Sequence, residues 1–348
     1  MHFPQEGISK QAFILDKIYK LEDRLSEGEK AKAIFKQTFA LARALAPLEL
    51  EFKWRTEEKR CFTLVNYSSY LININRLLMW KKLPGGEEYL SQEKIKYLPL
   101  EKQGELFRKW IESHGKNIRN LSLAEVGLTL LPAEIGCLSQ LQELSLTNNR
   151  LTTLPAEIRQ LAQLQILYLS GNQLTALPAE AGQLSKLERL FLSANQLTAL
   201  PTKIGQASQL KWLYLDDNRF TTFPIEIRHL SQMQKLDLSY NQLTTLPAEI
   251  GQLAKLEMLN LDDNQLTNLP IEIGQLSQLQ TLSLSYNQLT ALPIEMGQLL
   301  QLRWLDLENN KLTTLPAEMG QLTERLNLKL DGNPLKSIPS ELKKRFRL

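Results

Sequence analysis

The residue types that most often carry out catalysis or bind metals are few and scattered in this chain. Its three histidines are His2, His114 and His229, and its two cysteines are Cys61 and Cys137. Their spacing matches no zinc-ligand pattern, and two cysteines cannot build a disulfide framework. The short motifs of P-loops, zinc peptidases, serine hydrolases and dinucleotide-binding turns do not occur. The sequence therefore predicts no enzymatic activity, no metal site and no cofactor.

Adjacent acidic residues are the remaining candidates for binding a cation, because hard cations prefer carboxylate oxygens. The two pairs are Asp216-Asp217 and Asp262-Asp263. Acidic side chains on a surface are ordinarily solvated, and we expect that here. A catalytic thiol at Cys61 is another alternative, but an inert or buried thiol is the simpler expectation.

The composition indicates a folded chain with a sizeable core. Of the 348 residues, 43% are hydrophobic and 23% are charged. The 41 basic and 38 acidic residues give a net charge of +3, which is too balanced to indicate nucleic-acid binding. No stretch approaches the roughly 18 to 20 consecutive apolar residues of a membrane-spanning helix. We expect no nucleic acid, membrane span or small-molecule substrate among its interactions.

The first residues, MHFPQEGISKQAFILDK, contain no basic segment followed by an apolar one. We therefore expect no export through a cleaved signal peptide. We expect a cytoplasmic location in the producing cell instead. Delivery into a host cell by a route that needs no signal peptide stays open.

From residue 118 onward the sequence repeats every 23 residues. The ten units share the pattern LxxLxLxxNxLTxLPxEIGQLxx, without an insertion. Prolines recur in step at Pro132, Pro155, Pro178, Pro201, Pro224, Pro247, Pro270, Pro293, Pro316 and Pro339. Asparagines recur at Asn149, Asn172, Asn195, Asn218, Asn241, Asn264, Asn287, Asn310 and Asn333. We expect this asparagine ladder to be structural, with each amide bonded to backbone groups where the strand turns away.

Each unit begins with an alternating segment that predicts a short strand. Leu144 and Leu146 then face one side, while Glu143 and Ser145 face the other. Ten such strands predict one parallel sheet. The proline opens a short turn on the opposite side, which glycine ends in most units. Arg159 and Arg228 replace that glycine, so we expect those two turns to continue further.

This repeat pattern resembles the leucine-rich repeat family, in the 23-residue LPxEIGQL form. Bacterial leucine-rich repeat proteins, including effectors that act on a host, and the Ras-group repeat scaffolds show similar units. The resemblance implies an α/β repeat fold: a solenoid horseshoe whose parallel sheet lines a concave face. It also implies that this face, which carries positions 3, 5 and 7 of each unit, binds other proteins.

Residues at these three positions vary, and units three to five bring large side chains together. Acidic residues flank them toward the C-terminal units. We therefore predict a protein partner with an apolar and partly basic surface. The predicted contact residues are Ile166, Tyr168, Arg189, Phe191, Trp212, Tyr214, Asp216, Asp237, Met258, Asp262, Trp304 and Asp306.

Residues 1–117 contain no repeat and predict a mainly helical N-terminal domain. Apolar periodicity predicts helices over 9–26, from Ser26 to Pro47, and over 101–113, with core residues in 63–80. Residues 48–54 alternate as a strand does, although a helix is not excluded. We expect the helix at 101–113 to cap residues 118–348, the repeat domain.

The last unit, from Arg325, has a polar sequence and is expected to act as the C-terminal cap. Two functions stay open for the whole chain. The preferred one is a non-enzymatic interaction protein, with a bacterial effector as one form. The alternative is an adaptor whose residues 1–117 recruit other machinery, ubiquitin-related machinery for example, while the repeats select the client. An enzyme with an unrecognised site in residues 1–117 is the third and weakest hypothesis.

Overall fold

The computed structural model describes residues 64–346. The helices predicted over 9–26 and 26–47, the segment 48–54 and Cys61 lie outside the described residues. Within 64–346, no helix has the length and apolar character needed to cross a membrane.

Ten short strands form one parallel sheet in chain order, as the alternating leucines predict. The register pairs equivalent positions of neighbouring units, so that Leu144 lies opposite Leu167, and Leu167 opposite Leu190. The strands are β1 Asn120–Ser122, β2 Glu143–Ser145, β3 Ile166–Tyr168, β4 Arg189–Phe191, β5 Trp212–Tyr214, β6 Lys235–Asp237, β7 Met258–Asn260, β8 Thr281–Ser283, β9 Trp304–Asp306 and β10 Asn327–Lys329.

The core lies on one side of this sheet and runs through all the repeats. In the third unit, Leu167 on β3 and Leu169 just after it are buried, as are Leu174 and Leu177 on the returning segment. Burying each leucine contributes about 1.5 to 3 kcal/mol, repeated unit by unit. The other side of the sheet is the concave face, where the side chains of positions 3, 5 and 7 lie.

Turns of 3-10 helix line the side opposite the sheet. They span Ala133–Cys137, Ala156–Gln160, Ala179–Gln183, Thr202–Gln206, Ile225–His229, Ala248–Gln252, Ile271–Gln275, Ile294–Gln298 and Ala317–Gln321. The expectation that Arg159 and Arg228 lengthen their turns is wrong, since both turns keep five residues. The buried leucine that follows, Leu161 or Leu230, ends each turn by returning the chain to the core. Glycine instead permits close stacking: a side chain at Gly182 would collide with the backbone of the next turn.

The asparagine ladder satisfies the backbone where each strand turns away. The Asn172 side-chain oxygen accepts a bond from the Leu151 amide at 3.0 Å. Its side-chain nitrogen donates to the Leu146 and Leu169 carbonyls, both at 2.9 Å. All nine asparagines bond in this way to their own unit and the preceding one. Each amide therefore ties two repeats together.

The eighth residue of every unit has a positive φ angle. These residues are Glu125, Asn148, Gly171, Ala194, Asp217, Tyr240, Asp263, Tyr286, Asn309 and Gly332. The conformation keeps the backbone ladder going beyond the strands, since the Tyr240 amide donates to the Asp262 carbonyl at 2.9 Å. Residues other than glycine rarely adopt a positive φ angle, and for a bulky residue this backbone conformation is strained. The two tyrosines are the bulkiest residues held this way.

Within the described residues, four helices precede the repeats: α1 Leu64–Lys82, α2 Gly86–Ser91, α3 Glu93–Lys96 and α4 Leu100–His114. Residues 83–85, Leu-Pro-Gly, separate α1 from α2, and α4 extends the helix predicted over 101–113 by one residue at each end. Trp80 and Phe107 are fully buried, with ring centroids 5.2 Å apart. They belong to the same hydrophobic cluster as Leu121 and Leu123 of the first repeat.

Polar side chains of α1 bind the first repeat directly. The Asn75 side-chain oxygen accepts bonds from the Thr129 and Leu130 amides, at 3.0 and 3.3 Å. Arg76 forms an ion pair of 2.6 Å with Glu134, which is nearly fully buried. These contacts fix the position of α1 relative to the repeats.

At the other end, a short helix, α5 (Ser340–Phe346), lies against the last 3-10 turn. Leu342 is fully buried there, and the Arg345 guanidinium donates two bonds to the Leu322 carbonyl, at 2.8 and 3.1 Å. The leucines of β10 and the segment after it are only partly buried. The C-terminal end thus carries a much smaller covering than the N-terminal end.

Candidate functional site

The concave face presents one half-buried side chain of position 3 and one of position 5 from most strands. On β3, Ile166 and Tyr168 are half-buried on either side of the buried Leu167, and the same alternation recurs on β4 and β5. These outward side chains do not pack into the core. Their identity is therefore free to serve contacts with another molecule.

Three aromatic rings at position 5 form a continuous stack across β3, β4 and β5. The centroids of Tyr168 and Phe191 lie 4.7 Å apart, and those of Phe191 and Tyr214 lie 5.0 Å apart. The ring planes are inclined by only 12° and 15°, so the three rings form a nearly parallel stack. Offset stacks of this kind hold aromatic side chains in place while leaving their edges exposed. We call this row of rings, Tyr168–Phe191–Tyr214, the aromatic strip.

Trp212 lies in a different environment, among the position 3 side chains. The Arg189 guanidinium carbon is 4.1 Å from its ring centroid, and the Lys235 ammonium is 4.4 Å from it. Cations over an indole face are attracted by its negative quadrupole. The aromatic residues predicted in units three to five are thus arranged as the strip and, beside it, an indole flanked by two cations. Ile166 and Met258 continue the position 3 row on either side.

Acidic side chains occupy the strand ends and the later strands of the same face. The Asp216 carboxylate accepts a bond from the Ser193 hydroxyl at 2.6 Å, and that of Asp262 accepts one from the Ser285 amide at 2.7 Å. Asp237 is buried and accepts bonds from the amide and hydroxyl of Ser239, at 3.0 and 2.6 Å. These bonds hold the three carboxylates in place, and Asp237 is near enough to each of the other two for its charge to raise their pKa.

Partial burial makes two of these carboxylates reluctant to ionise. Desolvation raises the pKa of Asp262 to about 6, and the neighbouring Asp306 and Asp237 add to the rise. Desolvation also raises the pKa of Asp216, against the effect of its bond from Ser193. The pKa of Tyr214 is raised by burial and by Asp237 and Asp216. A partner cation would relieve this repulsion among like charges.

Trp304 and Asp306, also predicted as contact residues, lie on β9, four strands beyond Trp212. The Lys329 ammonium is 4.9 Å from the Trp304 ring centroid and 3.4 Å from the Asp306 carboxylate. This group shares the concave face with the aromatic strip but is separate from it. The twelve predicted residues therefore lie on one face, and Asp306, whose charge raises the pKa of Asp262, links the group on β9 to the carboxylates beside the strip.

Two exposed tyrosines at this edge of the sheet escape the prediction from sequence, which considered only positions 3, 5 and 7. Tyr240 is 61% exposed and Tyr286 56% exposed, both at position 8 with a φ of 51°. Asp263 raises the pKa of the Tyr240 hydroxyl through its negative charge. The sequence did contain an indication of these two tyrosines, because the other units carry small or polar residues at position 8. Lys235 was also left out of the predicted contact residues, although it lies 4.4 Å from the Trp212 ring centroid, close to the 4.1 Å of Arg189.

The groups considered for chemistry are not brought together. Within residues 64–346, no three His, Cys, Asp or Glu side chains are placed to hold a metal ion. His114 stacks on Trp110, with centroids 4.7 Å apart, and His229 accepts a bond from its neighbour Arg228. Burial raises the pKa of the Cys137 thiol, which disfavours the reactive thiolate.

Comparison with known proteins gives consistent matches to the repeats. One family model, described as a leucine-rich repeat region, matches residues 129–207 and 198–284, and a second, described as a leucine rich repeat, matches 272–335. No curated protein matches the chain.

Solved structures with similar repeats include a bacterial and a plant protein. A leucine-rich repeat protein of Leptospira interrogans is 34% identical, over 68% of this chain and 89% of its own, with a TM-score of 0.38. The ectodomain of the Arabidopsis thaliana receptor kinase GASSHO1/SCHENGEN3, solved in complex with CASPARIAN STRIP INTEGRITY FACTOR 2, is also 34% identical. That match covers 67% of this chain and 30% of the receptor chain, with a TM-score of 0.59.

The third structure is the Drosophila Toll–Spatzle complex, at 25% identity and a TM-score of 0.61. It covers 67% of this chain and 34% of its own, so this chain spans about a third of the length of each receptor chain it matches here. The repeat pattern, the ten-stranded parallel sheet and the family models agree, and the chain belongs to the leucine-rich repeat family.

Proposed function

We propose that this chain is a non-enzymatic binding protein that holds a partner protein against β3–β7 of its concave face. Leucine-rich repeats commonly serve as protein interaction modules, and the family is typically a binding scaffold. The plant and Drosophila structures similar to this chain were solved as complexes with CASPARIAN STRIP INTEGRITY FACTOR 2 and with Spatzle. Both support protein binding as the general role.

The observation that carries this proposal is the aromatic strip. Three large rings are held half-exposed side by side, and the core does not require them. Aromatic side chains at the centre of a surface, with polar groups around them, are typical of the residues that supply most of the binding energy. The acidic side chains beside the strip favour a partner with an apolar and partly basic surface.

Affinity capture with a matched control tests the proposal. The wild-type chain and a Phe191→Ala, Trp212→Ala, Tyr214→Ala variant are compared for proteins captured from cell lysates, with circular dichroism to confirm folding. The control variant carries Ile271→Ala, Ile294→Ala and Leu300→Ala, which remove exposed apolar side chains outside the concave face.

We expect a partner that the control retains and the concave-face variant loses. The loss should correspond to at least about 2 kcal/mol, roughly thirtyfold in affinity. Partners that survive the concave-face changes but not the control changes would contradict the proposal.

We also infer that α1–α4 act as the N-terminal cap of the repeats. Trp80, Phe107 and Ile111 are fully buried in the cluster that includes the first repeat. Removing residues 1–99 would expose this apolar surface, and we expect an aggregated product. A folded product would contradict a capping role.

The simple binding protein and the adaptor differ in what they require of the N-terminal region. A simple binding protein keeps its concave-face partner when residues 1–63 are removed. An adaptor loses a second partner on that deletion, and this second partner is insensitive to the concave-face changes. Capturing partners with the shortened chain therefore separates the two.

A further inference from the structure

The charges on β4–β7 are sorted across the width of the concave face. Cations lie at position 3, near the start of the strands, and carboxylates lie at positions 5 and 7, toward their ends. The aromatic strip runs between them on β3–β5. The face is therefore polarised across its width, a feature that the sequence pattern alone did not predict.

The cationic side consists of Arg189 and Lys235, which both contact the Trp212 indole. Within residues 64–346, neither side chain forms an ion pair. Lys211 is different, because it is paired with Glu188 at 2.9 Å. Stacking on the indole orders the two cations but does not neutralise their charge, so both can bind an anion.

The acidic side has carboxylates held by neutral donors. Asp216 and Asp262 accept bonds from a serine hydroxyl and a serine amide, and in the described part of the chain no cation pairs with either. The exposed Tyr240 lies near Asp262 at the same edge of the sheet: the pKa of its hydroxyl is raised mainly by Asp263, and Asp262 adds to the rise. Carboxylates beside an exposed tyrosine ring suit a lysine or arginine side chain.

We propose that the partner element bound on β4–β7 is itself bipolar: an acidic side chain meets Arg189 and Lys235, and a basic one meets Asp216 and Asp262. Apolar side chains between them cover the aromatic strip. This inference rests on the proposed function. It adds an acidic side chain of the partner that contacts Arg189 and Lys235, which a partner surface with basic residues alone would lack.

The strand geometry sets the spacing of the two charges. Positions 3 and 7 are four residues apart, which at about 3.3 Å per residue separates the cationic and acidic sides by about 13 Å. An extended partner segment would place its acidic and basic residues about four positions apart. A helix, rising about 1.5 Å per residue, would need about nine positions.

A random peptide library displayed on phage tests this even though the partner is unidentified. Sixteen-residue peptides are selected on the full chain, and clones that also bind a Phe191→Ala, Tyr214→Ala variant are removed. The peptides that remain should carry an acidic and a basic residue separated by apolar ones, at one of the two spacings.

Charge reversal in the chain then tests each end of a selected peptide. Arg189→Glu with Lys235→Glu should weaken binding about tenfold, and changing the acidic residue of the peptide to lysine should restore it. Asp216→Lys with Asp262→Lys should likewise weaken binding about tenfold, and changing the basic residue of the peptide to glutamate should restore it. Lys186→Glu with Lys255→Glu, at exposed positions preceding the strands, is the matched control and should leave binding unchanged.

The possible results separate the two proposals. Peptides that need Phe191 and Tyr214 but are unaffected by reversal at Arg189 and Lys235 would overturn the bipolar partner and leave concave-face binding intact. A selection that yields no peptide sensitive to Phe191→Ala, Tyr214→Ala would count against the proposed function, and with it the bipolar partner.

Discussion

The interior and the concave face of the repeats are built from alternate residues of the same strands, yet they follow opposite rules. Position 4 is leucine on all ten strands, and the register places these leucines directly beside one another. Position 5 on the same strands includes serine, tyrosine, phenylalanine, aspartate, asparagine and lysine. Stability is therefore spread evenly along the chain, while the features that could recognise a partner are concentrated on β3–β7.

The strongest test of this contrast compares two adjacent residues of β4. Leu190 is buried and Phe191 faces outward. Leu190→Ala should lower the free energy of unfolding by about 3 to 4 kcal/mol, because it opens a cavity in the core. Phe191→Ala removes two ring contacts and should cost about 1 to 2 kcal/mol. Urea unfolding followed by far-ultraviolet circular dichroism measures both, and equal losses would refute the contrast.

Two neighbouring asparagines offer the next test. Asn149 is buried and bonded to backbone groups of two units, whereas Asn148 is exposed and bonds weakly to Glu125. Asn149→Ala leaves several buried groups unpaired and should cost about 2 to 3 kcal/mol. Asn148→Gly suits the positive φ angle there and should change stability by less than about 0.5 kcal/mol. Thermal unfolding of the two variants in parallel would show whether the ladder is as important as its geometry implies.

A smaller effect, of opposite sign, is expected at position 8. Tyr240 is held at a φ of 51°, which disfavours a bulky side chain, while asparagine tolerates it. Tyr240→Asn should raise the free energy of unfolding by about 0.5 to 1 kcal/mol, measured by urea unfolding. Tyr214→Asn, on an ordinary strand, should lower it. A destabilised Tyr240→Asn protein would mean that this ring makes a stabilising contact in the free chain.

The subtlest expected effect depends on pH. Because the pKa of Asp262 in the folded chain is about 6, against 3.8 for an unperturbed aspartate, the folded state binds this proton more tightly. This carboxyl therefore favours the folded state increasingly as pH falls from about 6 to 4, and penalises it above 6. Asp262→Asn keeps the acceptor for Ser285 and should be more stable than wild type at pH 7. The difference should shrink toward pH 4, and a difference that stays constant in urea titrations would contradict this.

The sequence was sufficient to predict the strands and the asparagine ladder, because both recur at a fixed interval of 23 residues. Alternating leucines predicted the strands, and the 23-residue interval fixed their order and register. The asparagine interval placed a polar side chain at every turn. Longer turns at Arg159 and Arg228 were wrongly predicted, because the stop was assigned to glycine rather than to the buried Leu161 and Leu230.

Details of the concave face were harder to predict. Sequence positions placed Trp212 next to Arg189 and Lys235, but only side-chain conformations put both cations over the ring. The strain at position 8 was hidden because glycine, the residue that signals it, occupies only two of the ten units, at Gly171 and Gly332. The N-terminal helices lack a repeat, and no comparison between units could indicate how Asn75 and Arg76 bind the first repeat.

The register of the sheet also has a mechanical consequence. Each strand bonds only to the strands of the units before and after it, so a force between the two ends passes through nine strand interfaces in series. Slight widening at each of the nine interfaces would sum along the chain to a larger change in end-to-end distance. The chain could therefore adjust the curvature of its concave face to a partner by many slight movements, without breaking any one repeat.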